Sequence, residues 1–431
     1  MLSTNITRGE NGELRFAGQS VPELARRYGT PLYLMDEARI RANCRMYKNA
    51  FQSAFGSAAL PLYAGKACAF KQIYRIMNEE GMGVDAVSRG EIHTALAAGF
   101  PAERIWFHGD GKTDADIRYA LDNGVGCFVV DGYEELEALN REAGERGMRQ
   151  RVLLRVTPGI DPHTFEAVNT GRVDVKFGVP IGTGQALEFV RAALNAPNLM
   201  VEGLHCHVGS MVFDEMVYED AADLMLGFMR ALKDQLGYTA GTLDLGGGYG
   251  VRYTDADKHV DIPARIAALA AHIQSRASQM GLPMPRILME PGRSIVADAG
   301  MTVYTVSAVK RIPGFKNHVI VDGGMTDNPR YCLYRARYTV LHAGREAGET
   351  AVFDLAGRCC ESGDILQPAV TLPADIRRGE LVAVCTTGAY NYSMASNYNR
   401  MGRPPVVMLR DGESYVAVRR EDPDTLCALD V

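Results

Sequence analysis

Lys66 is the residue in this sequence whose type and position most clearly suggest covalent chemistry. It follows the apolar segment Leu62–Gly65, which has the character of a short strand buried on both faces. An ammonium group there is costly unless it is paired or used in catalysis, and lysine forms Schiff bases with carbonyl cofactors. Taken alone, the segment is also compatible with a lysine that extends from a strand end into solvent.

Further apolar segments between residues 60 and 293 end in polar residues in the same way, and helical patterns connect them, as in Asp114–Asn123. Eight such strands that alternate with helices predict an α/β fold with a closed (β/α)8 barrel of the TIM type. The predicted strands are Leu62–Gly65, Met82–Val87, Arg104–Phe107, Cys127–Val130, Val152–Val156, Val201–Cys206, Leu243–Leu245 and Arg286–Met289.

The ends of all eight predicted strands carry groups that could bind a ligand or take part in catalysis. Because the carboxyl ends of the strands meet at one face of such a barrel, we expect these groups to converge. They are Lys66, Asp85 with Ser88, His108, Asp131, Arg155, His205 with His207, Gly246 to Gly248, and Glu290 to Arg293.

The remainder of the chain has the pattern of a β-rich domain. Asp411 and Gly412 separate its last two strands, as in a tight hairpin turn. We therefore predict a barrel over residues 37–298 and a β-rich second domain built from both chain ends, 1–36 and 299–431. The strand-like segments are Pro31–Met35, Thr302–Arg311, His318–Asp322, Ala351–Leu355, Leu381–Cys385, Val406–Arg410 and Tyr415–Arg419.

The glycines that follow the seventh predicted strand could surround an anion. Gly246, Gly247 and Gly248 would let backbone N–H groups approach a phosphate closely, and phosphate sites in barrels often follow strands seven and eight. The run does not fit the dinucleotide pattern G-x-G-x-x-G, and a tight structural turn is the alternative. Glu290, after the eighth strand, could hold a proton on a heterocyclic nitrogen, as in pyridoxal phosphate catalysis.

His205 and His207 are alternate residues of a predicted strand and therefore share a face. They could bind a metal, but no acidic third ligand is in evidence nearby, so we predict no metal site. Two alternatives stay open, a histidine that stacks on a cofactor ring and a core histidine with satisfied hydrogen bonds.

The composition is that of a soluble globular protein, with 47% hydrophobic residues, 23% charged residues and a net charge of −6. Dispersed Lys and Arg argue against a nucleic-acid partner. No apolar run is long enough to span a membrane, and the N-terminus has no signal-peptide pattern. The nine cysteines include no C-x-x-C pair, which predicts a protein of the reducing cytoplasm rather than a disulfide framework or a zinc site.

Nine motifs in register along nearly the whole chain extend these observations. On them the chain resembles the fold-type III pyridoxal-phosphate decarboxylases, and within these the diaminopimelate decarboxylases. The motifs are Tyr63–Lys66, Thr170-Gly171 with Lys176–Gly178, His205–Ser210, Leu245–Gly248, Glu290–Arg293, Asp322–Met325, Asn328–Arg330, Cys360–Asp364 and Gly388–Tyr390.

The resemblance implies pyridoxal 5'-phosphate as the cofactor and a role for each matching residue. Lys66 would form the Schiff base, His207 would stack on the pyridine face, and Glu290 would contact the ring nitrogen. Asp85 would lie near Lys66 and the cofactor. The residues expected around the phosphate are Ser210, Gly246, Gly247, Gly248, Gly292, Arg293 and Tyr390.

The resemblance also implies the reaction, which is decarboxylation of meso-2,6-diaminopimelate at its D-centre to L-lysine and CO2, the last step of lysine biosynthesis. Glu361 would receive the distal ammonium of the substrate. The other residues expected at the substrate are Arg293, Arg330, Tyr334 and Tyr390, and arginine suits a distal carboxylate because its planar fork binds it in a bidentate manner.

Cys360 would be the general acid that protonates the substrate carbon after CO2 leaves. The resemblance implies that Cys360 and Glu361 reach the cofactor of the partner subunit, so we expect a homodimer with shared active sites. In an extended strand Cys359 would point the opposite way and belong to the core.

Several rival functions share parts of this pattern. Ornithine or arginine decarboxylases have the same cofactor site but need no arginine for a distal carboxylate. Alanine racemases place an arginine at the ring nitrogen, where this chain has Glu290. A carrier-linked amino-acid decarboxylase and a non-catalytic pyridoxal-phosphate protein are further alternatives, although the latter would not need Cys360 or Glu361.

Overall fold

The computed structural model describes residues 3–159, 175–346 and 348–431 of the chain. The chain forms two compact units, and we call them the barrel unit and the β-rich unit. The barrel unit comprises Cys44–Gly250 and Val260–Gly292, and the β-rich unit comprises Met1–Asn43, Val251–His259 and Arg293–Val431. The predicted domain boundaries at residues 37 and 298 stay a prediction, and the motif residues Thr170 and Gly171 lie outside the described residues.

Eight parallel strands form a closed ring in the described part of the barrel unit, which confirms the predicted barrel. Each strand pairs with its neighbours in chain order, and pairing of Leu288 with Leu60 joins the last strand to the first. A short strand, Val179–Pro180, adds to the fifth. The ring strands are Leu60–Ala64, Gly83–Ala86, Ile105–Phe107, Cys127–Val130, Gln150–Thr157, Leu199–His205, Thr242–Asp244 and Arg286–Met289.

Helices follow the first seven strands of the ring, and local sequence starts several of them. Thr113 and Asp116 form a reciprocal capping box at the start of Asp114–Asp122. The Ser88 hydroxyl accepts a hydrogen bond from Glu91 N (3.2 Å), so Ser88 caps a helix. The helices are Lys71–Glu79, Arg89–Ala97, Asp114–Asp122, Tyr133–Glu145, Gln185–Leu194, Val217–Leu236 and Ile262–Gln279, and Glu37–Phe55 precedes the ring.

An apolar layer fills the inside of the barrel. Leu62, Trp106, Val129, Leu153 and Leu288 are buried there against one another, and burial of each such side chain contributes roughly 1.5–3 kcal/mol. Side chains alternate along a strand, so polar residues near the strand ends are held by this apolar layer. Among the described residues, no helix combines the length and the apolar character needed to cross a membrane.

The β-rich unit is built from both chain ends, as predicted. The N-terminal strand Leu32–Asp36 pairs in parallel with Val406–Arg410 and antiparallel with Gly300–Lys310. Leu32, Leu34 and Val407 are completely buried in the core that these strands share. The other strands of this sheet are His318–Val321, Val340–His342, Thr350–Ala356, Ile365–Pro373, Leu381–Cys385 and Glu413–Val418.

Three features of the β-rich unit were not predicted. A small antiparallel sheet of Ile6–Arg8, Leu14–Phe16 and Gln19–Ser20 precedes the first helix. Val340–His342 is too short to give a pattern. Ile365–Pro373 contains Pro368 and the positive φ of Ala369 (53°), and these features interrupt its alternation. The helices of this unit are Val21–Tyr28, Arg293–Val296, Arg330–Tyr334 and Pro423–Cys427.

Candidate active site

Lys66 lies in a single turn of 3-10 helix, Gly65–Ala67, directly after the first barrel strand. Its neighbours Gly65 and Ala67 are buried, whereas Lys66 itself is exposed. A Cβ atom on Gly65 would lie 2.8 Å from the Tyr74 hydroxyl, so only glycine allows the turn to pack here. The turn therefore holds its backbone against the barrel, and the charge of Lys66 opposes the rise in the pKa of Asp85 and of Glu290.

Lys112 is a second lysine near a strand end, and its surroundings differ. Only 1% of its side chain is exposed, and Nζ forms an ion pair with Glu135 Oε1 at 2.8 Å. The same Nζ donates to the carbonyl oxygens of Gly109 and Val129, both at 2.8 Å. An ammonium group held by three acceptors is a structural element, so Lys112 does not compete with Lys66 for a covalent role.

Four buried side chains from different barrel strands meet in what we call the carboxylate–imidazole cluster: Asp85, His108, His205 and Glu290. Glu290 Oε1 lies 3.1 Å from His108 Nε2 and 3.1 Å from His205 Nε2. Asp85 Oδ1 lies 3.8 Å from His108 Nε2. The two imidazole rings have their centroids 5.0 Å apart and cross at 72°.

Burial shifts the cluster toward its uncharged forms. It lowers the pKa of His108 and of His205 well below the ordinary value, with nearby positive groups acting in the same direction. Burial also raises the pKa of Glu290, against the opposing effect of Lys66 and Arg155. For Asp85, burial and the charge of Glu290 raise the pKa to about 7.

Asp244 continues the cluster at the end of the seventh strand. Its Oδ1 accepts a hydrogen bond from Gly246 N at 2.9 Å. Burial, followed by the charge of Glu290, raises the pKa of Asp244 well above its ordinary value. Asp244 and Glu290 therefore both favour the uncharged form more than exposed carboxyl groups do.

The oxygen Glu290 Oε1 has no aligned hydrogen-bond donor among the described residues, although two imidazole nitrogens lie at 3.1 Å. A buried carboxylate oxygen in this condition suits an N–H donor that comes from a ligand. A protonated pyridine nitrogen is such a donor.

The same atoms also form a possible metal site. His108, His205 and Glu290 place one ligand atom each within 4.8 Å of one another, and a His2Glu set is known for zinc. The sequence analysis found no acidic group near His205, and this was wrong. Glu290 comes from the eighth strand and His205 from the sixth, so only the closed barrel brings them together.

The glycine run after the seventh strand forms a backbone cradle. Gly246 and Gly248 have φ values of +68° and +127°, which favour glycine. A Cβ on Gly247 would lie 1.9 Å from the Glu290 carbonyl oxygen. Gly247 N donates to His207 Nδ1 at 3.3 Å, and burial lowers the pKa of His207. The cradle has the small residues that a phosphate site requires.

Gly292, after the eighth strand, is also a position of close approach. A Cβ there would lie 2.9 Å from the Cβ of Ala64 and 3.1 Å from that of Ala67. Ser210 is half-buried in the segment after the sixth strand. Both residues thus belong to segments that leave the carboxyl ends of the barrel strands.

A second group of candidate site residues lies within the β-rich unit, and we call it the arginine–tyrosine cluster. Arg293 Nη1 donates to Tyr253 Oη at 2.9 Å, and Arg330 Nη1 donates to Tyr338 Oη at 2.7 Å. The guanidinium carbon of Arg293 lies 4.6 Å from the ring centroid of Tyr390. That of Arg330 lies 5.3, 5.7 and 5.9 Å from the ring centroids of Tyr253, Tyr338 and Tyr390, respectively.

The arginines of this cluster are charged although they are buried. Arg293 is 6% exposed and Arg330 is 5% exposed. Burial lowers the pKa of Arg330, but the oxygens of Tyr338 and Tyr253 outweigh it and the pKa is raised. Tyr390 has a positive φ of 60°, a strained conformation that is common at functional sites. Tyr334 ends the short helix that Arg330 begins.

Cys360 and Glu361 lie in a loop between the strands Thr350–Ala356 and Ile365–Pro373. Both are exposed, whereas Cys359 is buried, so Cys359 belongs to the core as predicted, although the backbone here is a bend rather than a strand. Cys360 N donates to Asn399 Oδ1 at 2.9 Å. The contacts of the described residues do not join this loop to the arginine–tyrosine cluster.

The comparisons with known proteins agree with this geometry. Residues 37–297 match the family model for the pyridoxal binding domain of pyridoxal-dependent decarboxylases. The chain is 42% identical over 426 residues to the diaminopimelate decarboxylase of Bacillus subtilis, covering 98% of this chain and 96% of that protein. This chain belongs to the pyridoxal-dependent decarboxylase family.

Solved structures extend the comparison. Diaminopimelate decarboxylase from M. jannaschii in co-complex with L-lysine has a TM-score of 0.92, 31% identity, and coverage of 99% of this chain and 98% of that chain. Lysine/ornithine decarboxylase complexed with putrescine from Vibrio vulnificus has a TM-score of 0.76, 28% identity, and coverage of 90% and 97%. The chain is thus a pyridoxal-phosphate-dependent decarboxylase with the barrel and β-rich architecture of its family.

The residues of the barrel unit fit pyridoxal phosphate. Glu290 Oε1 is a buried acceptor without an aligned donor among the described residues, the glycine run packs its backbone closely at the strand ends without side chains, and Lys66 is exposed at the strand end. Sequence analysis missed Asp244, Tyr253 and Tyr338. For Asp244 a signal existed, since it stands two residues before the glycine run at a strand end.

Proposed function

We propose that this decarboxylase converts meso-2,6-diaminopimelate to L-lysine and CO2 by removing the carboxylate at the D-centre. The observation that carries the proposal is the arginine–tyrosine cluster, in which two buried guanidinium groups are held by tyrosine hydroxyls. Such a cluster suits a substrate with a carboxylate at its distal end. The diaminopimelate decarboxylases among the relatives support the same substrate.

In the barrel unit, each residue has a separate task. Pyridoxal phosphate, when bound, supplies the electron sink for the negative charge that develops at the substrate carbon. Lys66 Nζ is the group that attaches the cofactor. Glu290 Oε1, a buried acceptor, would accept from a protonated ring nitrogen and favour that form of the ring, and Asp244 lies at the neighbouring strand end. Asp85 lies beside this pair with a pKa of about 7.

The remaining cofactor contacts are proposals from the family resemblance that the geometry supports. His207 is fixed by its bond from Gly247 N and is assigned to the ring face. The residues assigned to the phosphate are Ser210, Gly246, Gly247, Gly248, Gly292, Arg293 and Tyr390.

Arg330, together with Arg293, is assigned to the distal carboxylate of the substrate, with Tyr334 and Tyr390 beside it. Lysine and ornithine as substrates carry the distal ammonium but lack this carboxylate, so they would leave buried arginines without an anion. A site built for a polar group rejects analogues without it by as much as ~10⁴-fold. Glu361 is assigned to the distal ammonium of the substrate.

Cys360 is assigned as the acid whose thiol proton goes to the substrate carbon after CO2 has left. Its exposed position supports the proposal that it acts in the active site of a partner subunit. A homodimer with shared sites is then the working enzyme. We further propose that the barrel domain spans 37–298 and that the protein acts in the cytoplasm, as the cysteine pattern predicts.

Subunit sharing is tested by mixing two inactive variants, Lys66→Ala and Cys360→Ala. If Cys360 acts in the partner's site, random exchange between equal amounts should restore about one quarter of the wild-type activity, because one site of each heterodimer is intact. Absence of recovery, with subunit exchange verified by mass labelling, would show that Cys360 acts in its own chain.

The substrate is tested by measuring kcat/KM for meso-diaminopimelate, lysine, ornithine and arginine on the wild-type holoenzyme, with CO2 release as the signal. We expect meso-diaminopimelate to be preferred by at least ~10²-fold. The alternative, an ornithine- or arginine-type decarboxylase, is supported if one of the other three amino acids equals or exceeds it. Absence of CO2 release from all four would favour a carrier-linked substrate or a non-catalytic protein.

A further inference from the structure

Tyr253 and Tyr338 have no role in the function proposed so far, although both touch its arginines. Tyr253 Oη accepts from Arg293 Nη1 at 2.9 Å, and the Arg330 guanidinium lies 5.3 Å from its ring centroid. Tyr338 Oη accepts from Arg330 Nη1 at 2.7 Å. The two tyrosine rings meet edge to face, with centroids 5.2 Å apart and planes at 89°. One tyrosine therefore contacts both arginines and the second holds one of them.

We propose that Tyr253 and Tyr338 are positioning residues that hold Arg293 and Arg330 ready for a carboxylate and thereby set the preference for substrates that carry one at their distal end. This inference rests on the proposed function of the same cluster. It assigns the tyrosines to the arginines rather than to the reacting atoms.

The choice of tyrosine has a physical reason. A buried guanidinium needs an acceptor, and within the described residues Arg330 forms no ion pair with a carboxylate. Aspartate or glutamate in this place would satisfy the guanidinium but would also cancel its charge and repel a substrate carboxylate. A tyrosine hydroxyl accepts the hydrogen bond and leaves the positive charge available.

Hydrogen bonds from other residues of the β-rich unit hold both tyrosines in place, so the tyrosines can hold the arginines in place. Tyr338 N donates to Gln367 Oε1 at 2.9 Å, and Asn391 Nδ2 lies at 3.4 Å from Tyr338 Oη. The carbonyl oxygen of Tyr253 accepts from Thr339 N at 3.1 Å and from Thr339 Oγ1 at 3.0 Å. The residue after Tyr338 therefore anchors the backbone of Tyr253.

The ionisation of Tyr253 agrees with its contacts. Burial raises the pKa of its hydroxyl, but the charges of Arg293 and Arg330 outweigh burial and lower the pKa below the ordinary value. For Tyr338, burial outweighs Arg330 and the pKa is raised. The opposite directions of the two shifts agree with Tyr253 contacting both arginines and Tyr338 contacting one.

The test compares two ligands that differ by one carboxylate, L-lysine and cadaverine, in calorimetric binding to the holoenzyme. The variants are Tyr253→Phe and Tyr338→Phe, which keep the ring and remove the hydroxyl. The control is Tyr415→Phe, whose hydroxyl donates to Glu37 Oε2 at 2.7 Å in the same unit. Steady-state KM and kcat for meso-diaminopimelate are measured on the same proteins.

We expect each of the two variants to lose about 10-fold or more in L-lysine affinity, as for a hydrogen bond to a charged group. Cadaverine affinity should stay unchanged, and KM for meso-diaminopimelate should rise more than kcat falls. Tyr415→Phe should behave as wild type with both ligands. Thermal midpoints and cofactor absorbance identify a variant that is not folded. In that case, the ligand affinities of the other Tyr→Phe variant test the proposal.

The two possible failures are distinguishable. If the wild-type enzyme binds L-lysine no better than cadaverine and does not decarboxylate meso-diaminopimelate, the proposed function is wrong. If the wild-type enzyme discriminates between the two ligands and folded Tyr253→Phe and Tyr338→Phe discriminate equally well, the tyrosines do not position the arginines and this inference is wrong.

Discussion

The carboxylate–imidazole cluster of the barrel unit and the arginine–tyrosine cluster of the β-rich unit are both buried, yet they treat charge in opposite ways. In the barrel unit, burial lowers the pKa of His108 and His205 and raises that of Glu290, so the groups are driven toward neutral forms. In the β-rich unit, the pKa of Arg330 is raised despite burial, and its charge is permanent.

The difference indicates what each cluster can respond to. Carboxyl groups whose pKa is raised by burial, such as Asp85, Asp244 and Glu290, can change their charge when a cofactor brings an N–H donor. A guanidinium cannot give up its proton, so the arginine–tyrosine cluster keeps a positive charge with which a carboxylate of the substrate can pair. The groups whose charge can change, in the barrel unit, are therefore suited to binding the cofactor. The arginines, whose charge is fixed, are suited to selecting the substrate.

The largest expected effect concerns the cofactor side. Lys66→Ala should lower kcat on the order of 10³-fold or more, because a nucleophile that forms a covalent bond is lost. Dialysed protein should also lose its visible cofactor absorbance, and borohydride treatment should leave no labelled peptide at residue 66. The control is Lys71→Ala, an exposed lysine at the start of the next helix. A labelled lysine elsewhere in the wild-type protein would contradict the assignment of Lys66.

The next effect concerns the substrate side. Arg330→Ala should lower kcat/KM for meso-diaminopimelate by roughly 10²–10³-fold, because a buried charged contact to the substrate is lost and Tyr338 loses its arginine donor. The kcat/KM for lysine and ornithine should change less. The ratio of kcat/KM between meso-diaminopimelate and these two amino acids should therefore decrease. Arg337→Ala, an exposed arginine seven residues on, should leave both values unchanged. An equal loss for all substrates would assign Arg330 to the fold or to the cofactor.

The sequence predicted the barrel because its signals are local. Cys127–Val130 is a continuous apolar run and Arg286–Met289 is apolar after its first residue, and the structure gives both strands the predicted bounds. Lys66 and Glu290 followed from their places at strand ends. Ser88 shows the limit of that reasoning, since a serine three residues before Glu91 is also the signal of a helix cap, and the structure gives it this role.

The contacts within each cluster could not be predicted from local sequence. Arg293 and Tyr253 are 40 residues apart in the chain, and Tyr253 stands in an irregular segment without periodicity. The approach of His108 and His205 to Glu290 depends on closure of the barrel and on strand register, which fix distances across the ring. Sequence patterns identified the elements, whereas packing determined which side chains meet.

The third expected effect concerns Glu290. It shows whether the charge of this side chain, separately from its shape, contributes to kcat. Glu290→Gln keeps the size of the side chain and removes the charge that holds a proton on the ring nitrogen. We expect kcat to fall by ~10²-fold, as for other preorganised electrostatic contacts, while the affinity for pyridoxal phosphate falls less. Equilibrium dialysis against the cofactor and steady-state kinetics measure the two quantities. Activity within about twofold of wild type would contradict the role.

The smallest expected effect concerns Glu91, whose Oε2 accepts from Val87 N at 2.6 Å. It measures how much a buried negative charge in the barrel unit lowers the free energy of unfolding. Burial raises the pKa of Glu91 from 4.5 to about 7. The pKa of Glu91 is higher in the folded than in the unfolded state, so its protonated form favours folding. The contribution of this group to the free energy of unfolding is fully present below pH 4.5 and is lost as the pH rises through about 7. Glu91→Gln should therefore exceed wild type by on the order of 2 kcal/mol at pH 8 and match it near pH 4.5.

Urea unfolding of the holoenzyme at pH 5 and at pH 8 measures this difference, since the glutamine amide oxygen can still accept from Val87 N and no charge remains to be buried. Glu134→Gln is the matched control, because Glu134 is an exposed glutamate in the first turn of another barrel helix and its removal should give no gain at pH 8. A difference between Glu91→Gln and wild type that does not change between the two pH values would mean that Glu91 is not neutralised by burial. The contrast between adjustable charge in the barrel and fixed charge in the arginine–tyrosine cluster would then be confined to the carboxyl groups nearest Glu290.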